Sequence, residues 1–211
     1  MGDTGNTNPQ YFETEPSVPS RVVRYEIAGP DGPITVDSDT GVFSHGSLDK
    51  ATSILLDHLR VTTDDFPGGD FVDVGCGAGP IALLLAALFP GRRVWAVDTN
   101  RRAVELCAAN ARANSLTNVV ACDPGQVPDD AVISLVCSNP PIRVGKEALH
   151  VLLREWLGRL HPEGTALMVV GKNLGADSLQ TWLTGNGWPT VRIGSSKGFR
   201  LFRTTVRHAE D

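Results

Sequence analysis

The chain has 211 residues, 41% of them hydrophobic and 20% charged, enough apolar side chain for a sizeable core. Disordered, collagen-like and low-complexity architectures are thereby excluded. Nineteen Lys and Arg against twenty-four Asp and Glu leave a net charge of -5, which argues against coating nucleic acid by bulk positive charge but leaves room for a local basic face.

Residues 1–20, rich in Asn, Thr, Pro and Glu without a period, read as a flexible tail, and residues 21–211 as one domain. The N-terminus has neither the basic start nor the apolar stretch of a signal peptide. Two β-prone pieces, Arg21 to Ile27 and Ile34 to Val36, flank Gly29 to Pro33 and predict a hairpin. Leu48, Ala51, Ile54, Leu55 and Leu59 recur at helical spacing, with Ser47 placed as N-cap. After Pro67 strands and helices alternate. Phe71 to Val74 reads as a strand and Pro80 to Phe89 as a helix, and the next pair is Arg93 to Val97 and Asn100 to Asn114. Val119 to Cys122 and Ala131 to Cys137 are further strands, the second apolar enough for a central parallel position. A helix over Glu147 to Leu160 ends at His161 to Gly164, followed by a strand over Thr165 to Val170 and a helix over Asp177 to Leu183. Two last strands, Thr190 to Ile193 and Gly198 to Val206, are joined by a link short enough to force an antiparallel return. The alternation predicts an α/β fold: a doubly wound, seven-stranded, mostly parallel sheet with a C-terminal antiparallel strand, preceded by a small β-hairpin and helix.

The apolar run Ile81 to Phe89 is far shorter than the ~20 residues of a membrane-spanning helix. Cys76, Cys107, Cys122 and Cys137 form no CxxC or Cys/His pattern suited to zinc. No metal and no membrane partner is expected, and the cysteines read as reduced, packed thiols of a cytoplasmic protein.

The strongest chemical signal is the turn from Asp73 through Gly75, Cys76, Gly77, Ala78 and Gly79 to Pro80, set between a strand and a helix. Its glycines let the backbone approach a ligand and present amides at a helix N-terminus. A nicotinamide-type loop wants a third glycine at position 80, where Pro stands. An acid in the loop repels a pyrophosphate but attracts an ammonium group, which points to S-adenosyl-L-methionine. Asp98, followed by Thr99, ends the second strand of the alternating region; it either accepts from both ribose hydroxyls of an adenosine or caps the next helix. Asp123 ends the third, facing an adenine amino group or forming an Asx turn before Pro124. The fourth ends in Ser138, Asn139, Pro140, Pro141 and Ile142. Two prolines remove two donors and leave carbonyls to accept, so the Asn139 oxygen and the Pro140 carbonyl suit an –NH2 group whose lone pair is to meet a methyl sulfonium.

With these pieces in hand, the stretch from about Gly41 to Val206 resembles the class I S-adenosylmethionine-dependent methyltransferases of the methyltransferase small domain family, in its branch of small-subunit ribosomal RNA guanine-N2 methyltransferases. The resemblance rests on Gly41 to Ser44 with Asp49, Asp73 to Gly79, Asp98, Ser138 to Pro141, Lys172 to Ala176 and Lys197 to Arg200. It implies a Rossmann-like methyltransferase fold, with Asp73, Gly75, Cys76, Gly77 and Gly79 along the methionine part of the cofactor. Asp98 then takes the ribose with Thr99 also at the cofactor, Asp123 lies near the adenine, Phe43 and Ser44 sit on the segment covering the cofactor, and Asn139, which also borders the cofactor, holds the target amine in a catalytic loop with Pro140 and Pro141. Two features depart from the family. The motif ends in Ile142 rather than an aromatic able to stack on a base, and the second, N-terminal domain of the larger members has no counterpart in this single-domain form.

Residues 1–142 carry nine Lys and Arg against eighteen Asp and Glu, and residues 143–211 ten against six. Arg143, Lys146, Lys172, Lys197, Arg200 and Arg203 either form a mixed, solvated surface or converge on RNA phosphates through a basic C-terminal part. The expected activity is methylation of an exocyclic amino group, guanine N2 of ribosomal RNA. The alternatives are adenine N6, a protein glutamine amide, a small-molecule amine, or a catalytically silent cofactor-binding module.

Overall fold

The computed structural model describes residues 19–43 and 46–206; most of the segment read as a tail, and Ser44, lie outside the described residues. Strand β1 (Val23–Ala28) and strand β2 (Pro33–Ser38) pair antiparallel as the expected hairpin. Helix α1 (Lys50–Val61) follows and buries Ala51, Thr52, Leu55, Leu56 and Leu59 at helical spacing. Its N-cap is Asp49, not Ser47: Leu48 and Asp49 stay outside the helix, and the Asp49 carboxylate reaches the Thr52 N–H at 3.0 Å.

Among the described residues seven further strands form one sheet. These are β3 (Asp70–Val74), β4 (Val94–Val97), β5 (Val119–Cys122), β6 (Ile133–Ser138), β7 (Leu160–Gly171), β8 (Thr190–Ser196) and β9 (Phe199–Thr205), in the spatial order β5-β4-β3-β6-β7-β9-β8. All pairings from β5 to β7 are parallel, and β9 inserts antiparallel between β7 and β8. Helices α2 (Pro80–Leu88) and α3 (Arg101–Ala113) share one face with α1, while α4 (Lys146–Leu157) and α5 (Ala176–Gly185) cover the other. The strands alternate cleanly between two cores: Phe71, Leu135, Leu167 and Leu201 face one layer, and Val72, Val136, Met168 and Phe202 the other. Connections leave β3 and β6 in opposite directions, so a crevice opens beyond the carboxyl ends of these neighbours, where open α/β sheets take ligands.

Several boundaries differ from the sequence reading. Helix α4 stops at Leu157, and Leu160 already pairs with Ile133, so His161 to Gly164 are an excursion within β7 opposite Ser134 rather than the break between two elements. The last hairpin extends β8 to Ser196, and its turn is Lys197 and Gly198 alone, both at positive φ (50° and 84°), the geometry of a two-residue turn. The early hairpin is pinned to α3 by side chains one helical turn apart. Asn110 accepts from the Asp37 N–H and donates to the carbonyls of Asp37 and Ala78, and Asn114 exchanges two bonds with the Thr35 backbone. Among the described residues no helix is long and apolar enough to cross a membrane.

Candidate functional site

The loop from Gly75 to Gly79 is held from below. Its first two amides, of Gly75 and Cys76, both donate to the Val97 carbonyl, and the Gly79 N–H donates back to the Cys76 carbonyl at 2.8 Å. Gly79 has a special reason to be glycine: at φ 92° a Cβ would lie 2.4 Å from Cys107 Sγ on α3. Above Gly75, by contrast, there is open space. Pro80 then opens α2 at a position where its missing N–H costs no helical bond. Contact with Cys107 and burial push the Cys76 thiol beside the loop well up, away from the reactive thiolate.

Asp73 lies fully buried beneath this loop. Its Oδ2 accepts from the Ala82 N–H at 3.0 Å, while Oδ1 has no partner. Burial, with Asp98 adding to it, pushes its carboxyl up to about 8. An orphaned buried oxygen under a loop with open space above Gly75 fits a cationic ligand fragment: neither the oxygen nor the space is used by the protein itself. Asp98 ties the next loop to the first. One oxygen accepts from the Gly77 N–H at 3.0 Å and the other from the Asn100 N–H at 2.9 Å, and burial raises its carboxyl as well. The N-cap of α3 is Asn100, whose side chain accepts from the Arg102 N–H, so Asp98 is not that cap. Thr99 is exposed beside it. Asp123 is also exposed and forms the Asx turn, accepting from the Gly125 N–H at 2.9 Å while Gln126 accepts from its own N–H.

One narrow cleft brings the first loop and Asn139 together, with Phe43, Asp49, Thr52 and Tyr25 on its walls. Phe43 is 48% exposed at its edge. Asn139 follows β6, and its side-chain Nδ2 donates to Asp49 Oδ2 at 3.0 Å and to Thr52 Oγ1 at 3.1 Å. Pro140 is buried and Pro141 half-buried. Their carbonyls are less free than the sequence suggested, since Pro140 O accepts from the Ile142 N–H at 2.8 Å and Pro141 O from the Val144 N–H at 3.1 Å. Each keeps one lone pair for a further donor. Ile142 packs partly against the second core, so its apolar side chain serves the fold.

Sequence reasoning missed Tyr25 and Thr52 as wall residues, and the part Asp49 plays toward Asn139. Tyr25 comes from the hairpin, and its hydroxyl is pushed up to about 12 by burial. Asp49 carried a signal of its own, as an acid just before an apolar helical period. At the same end of the sheet the Lys172 N–H donates to the Gly198 carbonyl, setting exposed Lys172 beside the turn that carries exposed Lys197. Arg200 is occupied with Asp177 and Ser195, and Arg203 with Asp64. Among the described residues no group of three or more His, Cys, Asp or Glu is arranged to hold a metal ion.

Among known proteins, the chain is 34% identical over 171 residues to the uncharacterized protein YbxB of Bacillus subtilis, covering 80% of this chain and 84% of that one. It is 36% identical over 186 residues to the ribosomal RNA small subunit methyltransferase C of Pseudomonas putida, covering 86% of this chain but 54% of the relative. The chain thus spans about half the length of the relatives that bear that name. In fold it is similar to a 16S ribosomal RNA guanine-N2 methyltransferase of T. thermophilus solved with S-adenosylmethionine and guanosine (TM-score 0.75, 22% identity, 91% of this chain and 52% of that one). A ribosomal protein L11 methylase of Lactobacillus delbrueckii shares the fold at TM-score 0.59 and 18% identity, over 77% of this chain and 81% of that one. Residues 33–200 match the family model of the methyltransferase small domain, and with that match, on this sheet and this loop, the chain belongs to the methyltransferase small domain family.

Proposed function

We propose that the protein transfers a methyl group from S-adenosylmethionine to an exocyclic amino group, and that the acceptor is guanine N2 in ribosomal RNA. The observation that carries this reading is the cleft that sets Asn139 opposite the Gly75–Gly77 turn, so that an amine held by Asn139 and a ligand laid on the loop share one space. When bound, S-adenosylmethionine would supply an electrophilic methyl for attack by the amine lone pair, the N–CH3 bond forming as the S–CH3 bond breaks to a neutral thioether, and the amine then loses a proton to water. The open space above Gly75 and the orphaned Asp73 oxygen suit its cationic methionine end, with Cys76, Gly77 and Gly79 completing the turn and Phe43 at the rim. Asp98 and Thr99 take the ribose hydroxyls; each Asp98 oxygen already holds one backbone amide, which fixes the carboxylate before the ligand arrives. Asp123, exposed at the end of β5, is assigned to the adenine edge.

On the acceptor side, the Asn139 oxygen and the second lone pair of Pro140 O accept from the amine, and the rigid Pro140–Pro141 turn fixes their spacing. Acceptors set in advance stabilise the charge that grows on nitrogen during transfer. Exposed Lys146, Lys172 and Lys197 are assigned to RNA phosphates. The names of the P. putida and T. thermophilus proteins support ribosomal RNA and guanine as the acceptor class. Tritiated methyl transfer to ribosomal subunits, naked RNA and total protein tests the reading. Label in RNA, mapped to N2-methylguanine, is the expected result; label confined to protein overturns it.

A further inference from the structure

The geometry points to Asp49 and Thr52 as positioning residues that decide which end of the Asn139 carboxamide meets the acceptor amine, an inference that rests on the methyl-transfer reading above. An Asn side chain is nearly symmetric in shape, and a free one at the end of a strand presents its NH2 as readily as its oxygen. Presenting NH2 to a target amine places donor against donor. Here the choice is removed. Asn139 Nδ2 lies 3.0 Å from Asp49 Oδ2 and 3.1 Å from Thr52 Oγ1. A carboxylate accepts and does not donate, so the atom facing it must be the NH2. Both N–H bonds are spent at the N-terminus of α1, on its cap and its first turn, and Oδ1 is the end left for a ligand in the cleft that Asn139 lines.

The anchor is itself rigid. Asp49 Oδ2 also takes the Thr52 N–H at 3.0 Å, so one oxygen caps α1 and holds the carboxamide ninety residues away. Thr52 is buried, and Leu55, Leu56 and Leu59 behind it seat the helix in the first core. Donation to a carboxylate has a second consequence: it polarises the carboxamide and increases the negative character of Oδ1. An amine N–H becomes a stronger donor as its nitrogen turns cationic, so the bond to a polarised Oδ1 strengthens more in the transition state than in the bound substrate. Asp49 and Thr52 should therefore act on kcat rather than KM.

Three variants and two readouts test this. Asp49→Asn keeps the shape and a capping oxygen but not the charge, Thr52→Val removes one acceptor with little change of volume, and Asp49→Ala removes cap and anchor together. With 15N-labelled asparagine, the Asn139 side-chain NH2 signals, identified by their loss in Asn139→Ala, should shift in all three variants. In methyl transfer, kcat should fall about tenfold in Asp49→Asn, about threefold to tenfold in Thr52→Val and about a hundredfold in Asp49→Ala, while the RNA KM and the cofactor Kd stay within about threefold. Asp49→Asn recovering part of what Asp49→Ala loses is the mark of polarisation added to anchoring. Unmoved NH2 signals, or a kcat loss no larger than the loss of folded protein in thermal melts, overturns the proposal and leaves Asp49 as a helix cap alone. If the wild-type protein methylates no RNA, the functional reading fails, and the NH2 signals still decide the anchor.

Discussion

On the β3, β4 and β5 side of the sheet the strands end in acids, Asp73, Asp98 and Asp123, whereas the loops beyond β7 and between β8 and β9 carry Lys172 and Lys197. The first side is assembled locally. Each strand runs straight into its loop, and Asp98 ties the second loop to the first through the Gly77 amide. The second side is assembled from distant pieces: Asn139 leaves β6 and is met by Asp49 and Thr52 at the N-terminus of α1. A small cationic ligand needs fixed acids and backbone close at hand, while a large polyanion needs exposed cations and one well-oriented acceptor. Under the proposed function, the two halves of the crevice would divide these requirements between them.

If the halves are separable in this way, each can be broken without the other. Gly75→Arg should produce the largest effect, loss of measurable S-adenosylmethionine binding in a folded protein. Its Cβ meets nothing within 4 Å, so the long side chain enters the ligand space rather than the core; retained thermal stabilisation by the cofactor would count against the loop. Asn139→Ala should leave cofactor affinity nearly unchanged and cut turnover about a hundredfold or more, ~3 kcal/mol of transition-state stabilisation. Equal losses in turnover and cofactor affinity would mean that the two halves are one site. Lys172→Ala with Lys197→Ala should raise the KM for RNA several-fold and make binding less sensitive to salt, by about one unit of slope for each phosphate no longer neutralised, leaving the cofactor Kd untouched. The last effect is on stability rather than on binding or turnover. Burial holds the Asp73 carboxyl at about 8, above the 3.8 of an unperturbed Asp, so the folded state binds the proton more tightly than the unfolded chain. Stability from this group is therefore fully present at acid pH and declines as pH rises through the window from about 4 to about 8. The Tm of the cofactor-free wild type should fall relative to that of Asp73→Asn between pH 5 and pH 8, and parallel Tm profiles would place the titration elsewhere.

Local order was legible in the sequence because strands, turns and helices are written in neighbouring residues. The alternation of apolar strands and helical periods from Phe71 onward set the fold class, and Asp73 through Pro80 announced a strand-to-helix turn because positive φ at glycine and Pro at a first helical position are local requirements. Asp123 was open to two readings, and its turn geometry is the local one. What only the tertiary structure decided are encounters between segments far apart in the chain. The insertion of β9 between β7 and β8, the pinning of the hairpin by Asn110 and Asn114, the approach of Tyr25 to the cleft and the meeting of Asp49 with Asn139 leave no periodic trace. The side-chain encounters among these depend on polar or half-buried groups whose partners are chosen by how α1, α3 and the sheet are packed. A residue pattern records which face of an element is apolar, but not which distant amide or carboxylate will be waiting on the other side of the crevice.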